Sequence, residues 1–578
     1  MNFSIQAKRW RLLGHDIVLL GIMMILAACG LIYEYLLSHY AGRVLGIMES
    51  TIYAMIGLMI VAMGIGAWCA KWFKLPFSAF AWLELLVAFL GACSVLIIAA
   101  IIALTDRLPG LVADIYNMPP DTVFSGGLFE QLKMLSRTLP YWFGFLLGLL
   151  IGMEIPLIAK IREEIYGRHL QNNVGTIYGA DYIGAGIGAV IWVKYLLTID
   201  ITMAAAATAL LNVVAGSIFL IRYWSSVKWA RLLIACHIMM LLIIGVVIES
   251  GNRWMSDFSN VLYRDKVLYQ TQTRFQSITF TQRYIGTDRK PIVDLYLNGR
   301  LQFSSLDESI YHAMLVYPAM LASARHEKVL IIGGGDGLAL RDVLNWQPEQ
   351  VTLVDLDEGL VELFSQKYAV HHTEQVNALR AKLMTLNRQA FEDPRVDVIF
   401  GDAFIEVERL LEKQQRFDAV IIDLPDPSHP DLNKLYSDYF YARVRQLVSQ
   451  DGIMVVQSTS PFHAKNAYIS IAKTVKQAGF LHVEQYRQNV PTFGEWGWTI
   501  ASKAGRPVSA RIAEVKALPV KSNYVTTDLL TGAFAMPAGF YQDIDVIKVN
   551  FLGSGVIYDY HTAAWQRDIG VFAPGNNE

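Results

Sequence analysis

Apolar runs of about twenty residues, separated by short basic connections, fill the first 250 positions, and from about Gly251 the pattern contracts to strand-length runs among dense charge. Crossing a bilayer takes about 20 mainly apolar residues. Seven stretches are that long, near 16–38, 50–70, 77–104, 139–160, 175–197, 201–222 and 230–249. They predict an α-helical membrane bundle of about seven spans, multi-pass in a cell membrane and, for a bacterium, in the inner one. The first run is too long for a removed signal peptide and lacks a small-residue cleavage site. Trp10, Trp68, Trp72, Trp192, Trp224 and Trp229 fall near span ends, as in an aromatic belt.

The second half reads differently. Residues 267–302 carry short alternating runs, VLYQTQ, FQSITFTQRY and PIVDLYLNGRLQF, with Asn298-Gly299 as a hairpin turn. A helix from about 306 to 324 follows. Strands at 328–332, 351–355, 397–400, 418–422, 453–457, 480–486 and 498–502 then alternate with helix-like segments, which predicts a Rossmann-like doubly wound parallel sheet of methyltransferase type. The expected domains are a multi-span domain at 1–250, a connector and small β domain at 251–325, an α/β domain at 326–503 and an extension at 504–578.

Charge narrows the partners. A net charge of -2 with no stripe of Lys and Arg argues against nucleic acid. The four cysteines, Cys29, Cys69, Cys93 and Cys236, are spaced too widely for a zinc motif and lie in the apolar half, so neither disulfides nor a metal are expected. Glu34, Glu84, Glu154 and Asp181 fall inside spans, where ionisable groups are costly; they suit a polar cavity for a cationic amine, or hydrogen bonding between helices. Gly42-Arg43 with Thr51-Ile52-Tyr53 recurs as Gly167-Arg168 with Thr176-Ile177-Tyr178 at an offset of 125 residues. With three spans between them, the copies would be inverted, as in transporter repeats.

The chemistry centres on KVLIIGGGDG, residues 328–337, a β-branched run that breaks into glycines and resumes as a helix. Gly333, Gly335 and Gly337 permit a sharp turn and a close ligand. Asp336 would repel a phosphate at that helix start, so the loop suits a nucleoside carrying positive charge. Asp355, Asp402, Asp423 and Asp426 follow later strands, and in an open α/β sheet such positions converge on the ligand cleft. Asp355 lies 22 residues after Gly333, the spacing for gripping ribose hydroxyls, and Asp402 suits an adenine amino group. Any one of these aspartates alone would be read as a turn or helix cap.

VLIIGGGDG, VDLDEGLVELF, GDAF, DLPDP and LYSDYFY, with upstream FQSITF and LNGRLQFSSLDESIYHAML and downstream PTFGEWGWTIASK, resemble spermidine synthase and the wider polyamine aminopropyltransferases over about 263–503. GLIYEYLLSHYAGRVLG, NNVGTIYGADYIGAGIGAV and the tail VIKVNFLGSGVIYDYHTAAW are similar to a subset fused to a multi-span domain. The resemblance implies that Gly333, Gly335, Asp336, Asp355 and Asp402 hold decarboxylated S-adenosylmethionine as a co-substrate, with no permanently bound cofactor. It implies that Gln276 and His312 help hold the ligands. Asp423, Asp426, Tyr311 and Gln302 match amine-binding and catalytic positions, and the resemblance admits a homodimer. The chain departs from the family where Pro427 is followed by Ser428, His429 and Pro430 instead of a Gly-Pro step, so an imidazole is expected to narrow the amine pocket. It also carries an extra helical stretch at 374–391.

The expected function is an integral-membrane aminopropyltransferase acting on putrescine or another amine, soluble or presented at the membrane. A methyltransferase using intact S-adenosylmethionine is the second reading, against which Asp336 would face the cofactor carboxylate. A polyamine transporter or sensor is the third. Sidedness is in conflict: 11 Lys and Arg on alternate connections against 5 on the others place the N-terminus inside, so seven spans put the second half outside. A nucleoside co-substrate requires that half in the cytosol, and the chemistry is given precedence here.

Overall fold

The computed structural model describes residues 2–45, 48–115, 127–167, 170, 172–263, 265–284, 291–368 and 373–568. The chain divides into two compact units, Met1–Val267 and Leu268–Glu578.

The first unit is built from α1 (Asn2–Leu45), α2 (Met48–Cys69), α3 (Pro76–Ile115), α4 (Gly127–Tyr166), α5 (Asn173–Lys194), α6 (Ile201–Arg222) and α7 (Ala230–Tyr263). All seven are long and apolar enough to cross a membrane. Several outrun the expected spans: α7 continues past 250, so the start of the expected connector is helical. Trp68 and Trp72 are exposed, with the Lys71 ammonium 4.5 and 5.4 Å from their ring centres. Trp192 instead is buried beside Tyr35 and His39, because its helix turns that face into the bundle; it belongs to the core and not to a belt.

The sequence echo has a packing counterpart. α1 lies along α5, and α2 lies along α4. A Cβ on Gly184 or Gly188 of α5 would come within 2.2 and 2.6 Å of the Met24 and Ala28 carbonyl oxygens of α1. On the other pair, a Cβ on Gly148 or Gly152 of α4 would come within 2.8 and 2.1 Å of the Met59 and Met63 oxygens of α2. The offset of 125 carries positions 184 and 188 onto 59 and 63, and carries 24 and 28 to within one residue of 148 and 152. Each pair therefore closes on glycines carried by opposite members, a small-residue contact that lets backbones touch.

In the second unit, β1 (Lys266–Gln272), β2 (Ser277–Arg283), β3 (Ile292–Leu297) and β4 (Arg300–Ser304) form a four-stranded sheet. The β3–β4 hairpin turns on Asn298 and Gly299, at φ 51° and 78°, the two positive values a two-residue turn of this kind needs. Then come α8 (Glu308–Ala322), β5 (Lys328–Gly333), α9 (Leu338–Leu344), β6 (Gln350–Asp355), α10 (Glu358–Phe364), α11 (Glu374–Leu386), β7 (Val396–Phe400), α12 (Ala403–Glu412), β8 (Phe417–Asp423), α13 (Asp438–Leu447), β9 (Val448–Gln457), α14 (Lys465–Gln477), β10 (His482–Val490), β11 (Gly494–Ser502), α15 (Val508–Ala513), α16 (Thr527–Ala533) and α17 (Val556–Asp568). The extra stretch expected at 374–391 is α11 with a short turn at 390–392.

The large sheet has the order β10-β11-β9-β8-β5-β6-β7. Strands β5 to β9 are parallel, and β11 alone runs antiparallel, to β9 on one side and β10 on the other, so the expected all-parallel sheet is a mixed one. The reason is local: β10 and β11 are joined by a tight turn at Pro491–Phe493, too short for a crossover. Val329 and Ile331 pack on one face with α8 to α11, and Leu330 and Ile332 on the other with α12, α13, α14 and α17. Fully burying such aliphatic side chains contributes about 1.5–3 kcal/mol each. The topological switch lies at β5, flanked by β6 and β8, and opens the cleft beyond their carboxyl ends.

Candidate active site

The glycine loop closes against its neighbours at backbone distance. Gly333, paired with Asp423 in the β5–β8 register, has φ +82°, and a Cβ there would lie 2.1 Å from the Asp423 carbonyl oxygen. A Cβ on Gly335 would lie 2.8 Å from Asp355 Oδ2. These glycines thus let two strand-end aspartates draw up to the loop.

Asp336 is half-buried and accepts from the Leu338 N–H at 2.9 Å. Burial raises its pKa, opposed by the nearby His312 charge. His312, on α8, bonds through Nδ1 to Glu308 Oε2 at 3.0 Å and places Nε2 3.9 Å from Asp423 Oδ2. Burial alone would lower its pKa, but the Glu308 bond and the charges of Asp336, Glu308 and Asp423 raise it to about 9. The imidazole is therefore a cation at neutral pH. Glu308 is in turn clamped by Arg341, at 2.8 and 3.1 Å, and despite burial its pKa falls to about 2 through His312 and Arg341.

Asp355 accepts from the Asp357 N–H at 2.8 Å, and burial first, then the charges of Asp357 and Asp336, raises it to about 7. Gln276 donates to Asp357 Oδ2 at 2.7 Å, alongside Thr273 at 2.8 Å. Asp402 caps α12 through Phe404 N–H at 2.9 Å and meets Lys434 Nζ at 2.5 Å. It lines a cavity of about 720 Å³ with Tyr269, Phe275, Leu356, Asp357 and Gly401.

Asp423 ends β8. Tyr311 donates to its Oδ1 at 2.9 Å, and Tyr311 itself is boxed by Phe493, Trp496 and Trp498, with ring centres 5.8–6.4 Å away. Burial raises Asp423 to about 6; the His312 charge and the Tyr311 bond hold it down, and Asp336 pushes it up. Asp426 Oδ2 lies 3.3 Å from Thr459 Oγ1 and 3.2 Å from His561 Nε2, while its buried Oδ1 has no partner among the described residues. Thr459 holds φ +60°, rare for a β-branched residue, with its amide bonded to Gln457 Oε1 at 3.1 Å.

This chain is similar over 96% of its length, at 54% identity, to a polyamine aminopropyltransferase of Shewanella oneidensis, 96% of which is covered. The chain belongs to the polyamine aminopropyltransferase family. It is a transferase. Residues 308–511 match the spermine/spermidine synthase domain. A Streptomyces coelicolor polyamine aminopropyltransferase is 34% identical over 91% of this chain and 90% of its own, so the likeness runs through the seven N-terminal helices as well. A solved spermidine synthase in complex with the transition-state analogue AdoDATO is 25% identical, with a TM-score of 0.40, over 48% of this chain and 88% of that one.

Within this aminopropyltransferase, Asp336, Asp423, Tyr311 and His312 are drawn together, and Asp355 stands at the glycine loop. Gln302, on β4, bonds to the Arg300 carbonyl at 3.4 Å, and among the described residues no hydrogen bond joins it to Asp423 or Asp426. His429 Nδ1 accepts from the Asp431 N–H at 3.3 Å and caps the turn at 430–436. A histidine ring that bonds Asp426 is His561, from α17. Glu308, Asp357, Lys434, Thr459 and His561 were not foreseen. Glu308 had a signal, its four-residue spacing to His312 on a helix; His561, 135 residues from Asp426, had none.

Proposed function

We propose that this enzyme is membrane-integral and transfers the aminopropyl group of decarboxylated S-adenosylmethionine to a small diamine such as putrescine, releasing methylthioadenosine. The reading rests on one observation: the half-buried Asp336 and Asp423 stand with the buried His312 at a cleft where Asp355 stands across the glycine loop. Asp355 takes the ribose hydroxyls and Asp402 the adenine amino group. Asp336 takes the ammonium of the aminopropyl chain, with His312 and Gln276 ordering the acids around it. Asp423, with Tyr311, receives the attacking amine, and Asp426 and Gln302 the rest of the acceptor.

An alkylammonium has a pKa near that of lysine, about 10.4, and must lose its proton before its nitrogen can attack. The Asp423 carboxylate binds that ammonium, takes one proton from it and later releases that proton to solvent. The nitrogen then forms a bond to the carbon beside the sulfonium as the carbon–sulfur bond breaks, and the sulfur leaves as a neutral thioether. Because that leaving group is good, placement contributes more than base strength.

The test is methylthioadenosine release by the purified full chain with decarboxylated S-adenosylmethionine and a panel of amines, beside S-adenosylhomocysteine release from intact S-adenosylmethionine as the methyltransferase control. No release with any amine, or equal release by Asp423→Asn, would overturn the reading.

A second reading, amine binding or movement through the bundle, is favoured by one further observation. Tyr33 Oη, Glu84 Oε1, Glu154 Oε2, Asn212 Oδ1 and His237 Nε2 are buried in the first unit without partners among the described residues, with Asn212 donating to Glu84 at 3.0 Å. Amine flux in proteoliposomes, compared with Glu34→Gln, Glu84→Gln and Glu154→Gln, decides it; no flux, or flux indifferent to all three, removes it.

A further inference from the structure

We propose that His561 and Trp565, on the last described helix, are positioning residues of the amine site, which fix Asp426 so that one of its carboxylate oxygens faces the acceptor ammonium. The inference rests on the aminopropyl-transfer reading above and adds to it residues from outside the matched catalytic segment, which ends at 511.

Asp426 has two oxygens with unequal surroundings. Oδ2 is held by Thr459 Oγ1 at 3.3 Å and His561 Nε2 at 3.2 Å. Oδ1 is buried and takes no hydrogen bond among the described residues. A buried carboxylate oxygen left bare is costly unless a donor reaches it, and an ammonium is such a donor. A side chain held through one oxygen cannot rotate the bare one away.

His561 is itself held. Its side chain is 1% exposed, Trp565 Nε1 lies 3.0 Å from the same Nε2, and the Trp565 ring packs on His463 with centres 4.4 Å apart. Nε2 accepts from the Trp565 N–H when it carries no proton and donates to Asp426 Oδ2 when it does. The ionised carboxylate draws the proton to Nε2, and the indole, 6.1 Å away between ring centres, then holds the ring by packing. α17 is kept in place by Ile557, buried in the core face of β5 and β8, and by Asn550, whose side-chain amide donates to the Asn433 and Tyr436 carbonyls at 3.1 Å each.

The consequence is a specific kinetic split. His561→Leu should raise the KM for the amine about tenfold, the worth of one hydrogen bond to a charged group, while kcat and the KM for decarboxylated S-adenosylmethionine stay within about twofold. His561→Gln keeps a donor at the Nε2 position and should return most of the loss. Trp565→Ala, at a position 41% exposed and so tolerant of change, should raise the amine KM about threefold. The measurement is methylthioadenosine release by the full chain in detergent with putrescine, varied against each substrate. An unchanged amine KM in both His561→Leu and Trp565→Ala overturns the proposal. So does a matched loss for both substrates that Gln does not rescue, since that is a folding defect only. If His561→Leu does not fold, Trp565→Ala and His561→Gln carry the test, and an amine KM unmoved in Trp565→Ala then overturns it. A wild-type chain inert toward every amine would instead sink the transfer reading itself, a different result.

Discussion

The acidity of Asp423 is set by what surrounds it, and activity should follow. With its pKa raised to about 6, the carboxylate needed to bind an ammonium is lost as pH falls through that value. The expected result is an acid limb near pH 6 in kcat/KM for the amine. Asp423→Asn should lower that constant by about 10²–10⁴-fold, the usual span for losing an acid–base group, and abolish the limb. Tyr311→Phe removes a bond that holds the pKa down, so its limb should move above 6, with a fall of about tenfold in kcat/KM. At this scale the sequence was informative where a residue ends a strand: Asp336, Asp355, Asp402 and Asp423 each follow a β-branched run. It was silent where a partner comes from afar. Nothing near Asp426 announces His561, and nothing near Gln276 announces that its amide is taken by Asp357.

At the scale of elements, the glycines mark where backbones must meet. Gly335→Ala would drive a methyl group to 2.8 Å from Asp355 Oδ2, so the carboxylate must retreat from the glycine loop. The expected outcome is a rise of at least tenfold in the KM for the nucleoside with the fold intact, checked by steady-state kinetics beside a thermal melt. Gly152→Leu would set a side chain against the Met63 carbonyl and should part α2 from α4, seen as a lower melting temperature in detergent or loss of the folded protein. The strands, the hairpin at Asn298-Gly299 and the inserted helix were legible because period and turn chemistry are local. The reversal of β11 was not, because an alternating run looks the same read either way, and only the short turn from β10 decides it.

For the whole molecule, the cleft couples proton binding to stability. Asp355 titrates near 7 when folded against about 3.9 unfolded, so the folded state holds its proton more tightly. Its contribution is therefore fully present below about pH 4 and is lost as pH rises through 7. A cationic nucleoside offsets that loss, so decarboxylated S-adenosylmethionine should raise the melting temperature more at pH 8 than at pH 5.5, as measured by differential scanning fluorimetry. The membrane reading gives its own test. A cysteine engineered near the C-terminus should resist a membrane-impermeant thiol reagent in intact cells, and one near the N-terminus, seven helices earlier, should react; the reverse pattern removes the cytosolic placement of the catalytic half. Seven helices were legible by length alone. Loop charge and the co-substrate's compartment point to opposite sides, and the labelling decides between them.

The contact between α17 and Asp426 also sets an order of events during synthesis. At about 5–20 residues per second on the ribosome, the 135 residues that separate His561 from Asp426 take several seconds to emerge. Through that interval the sheet and its acidic cleft have been made while the brace on Asp426 has not. On the proposed role of His561, a nascent chain lacks its brace on Asp426 until α17 docks, and a premature stop codon before Val556 should leave a product poor at gripping an amine.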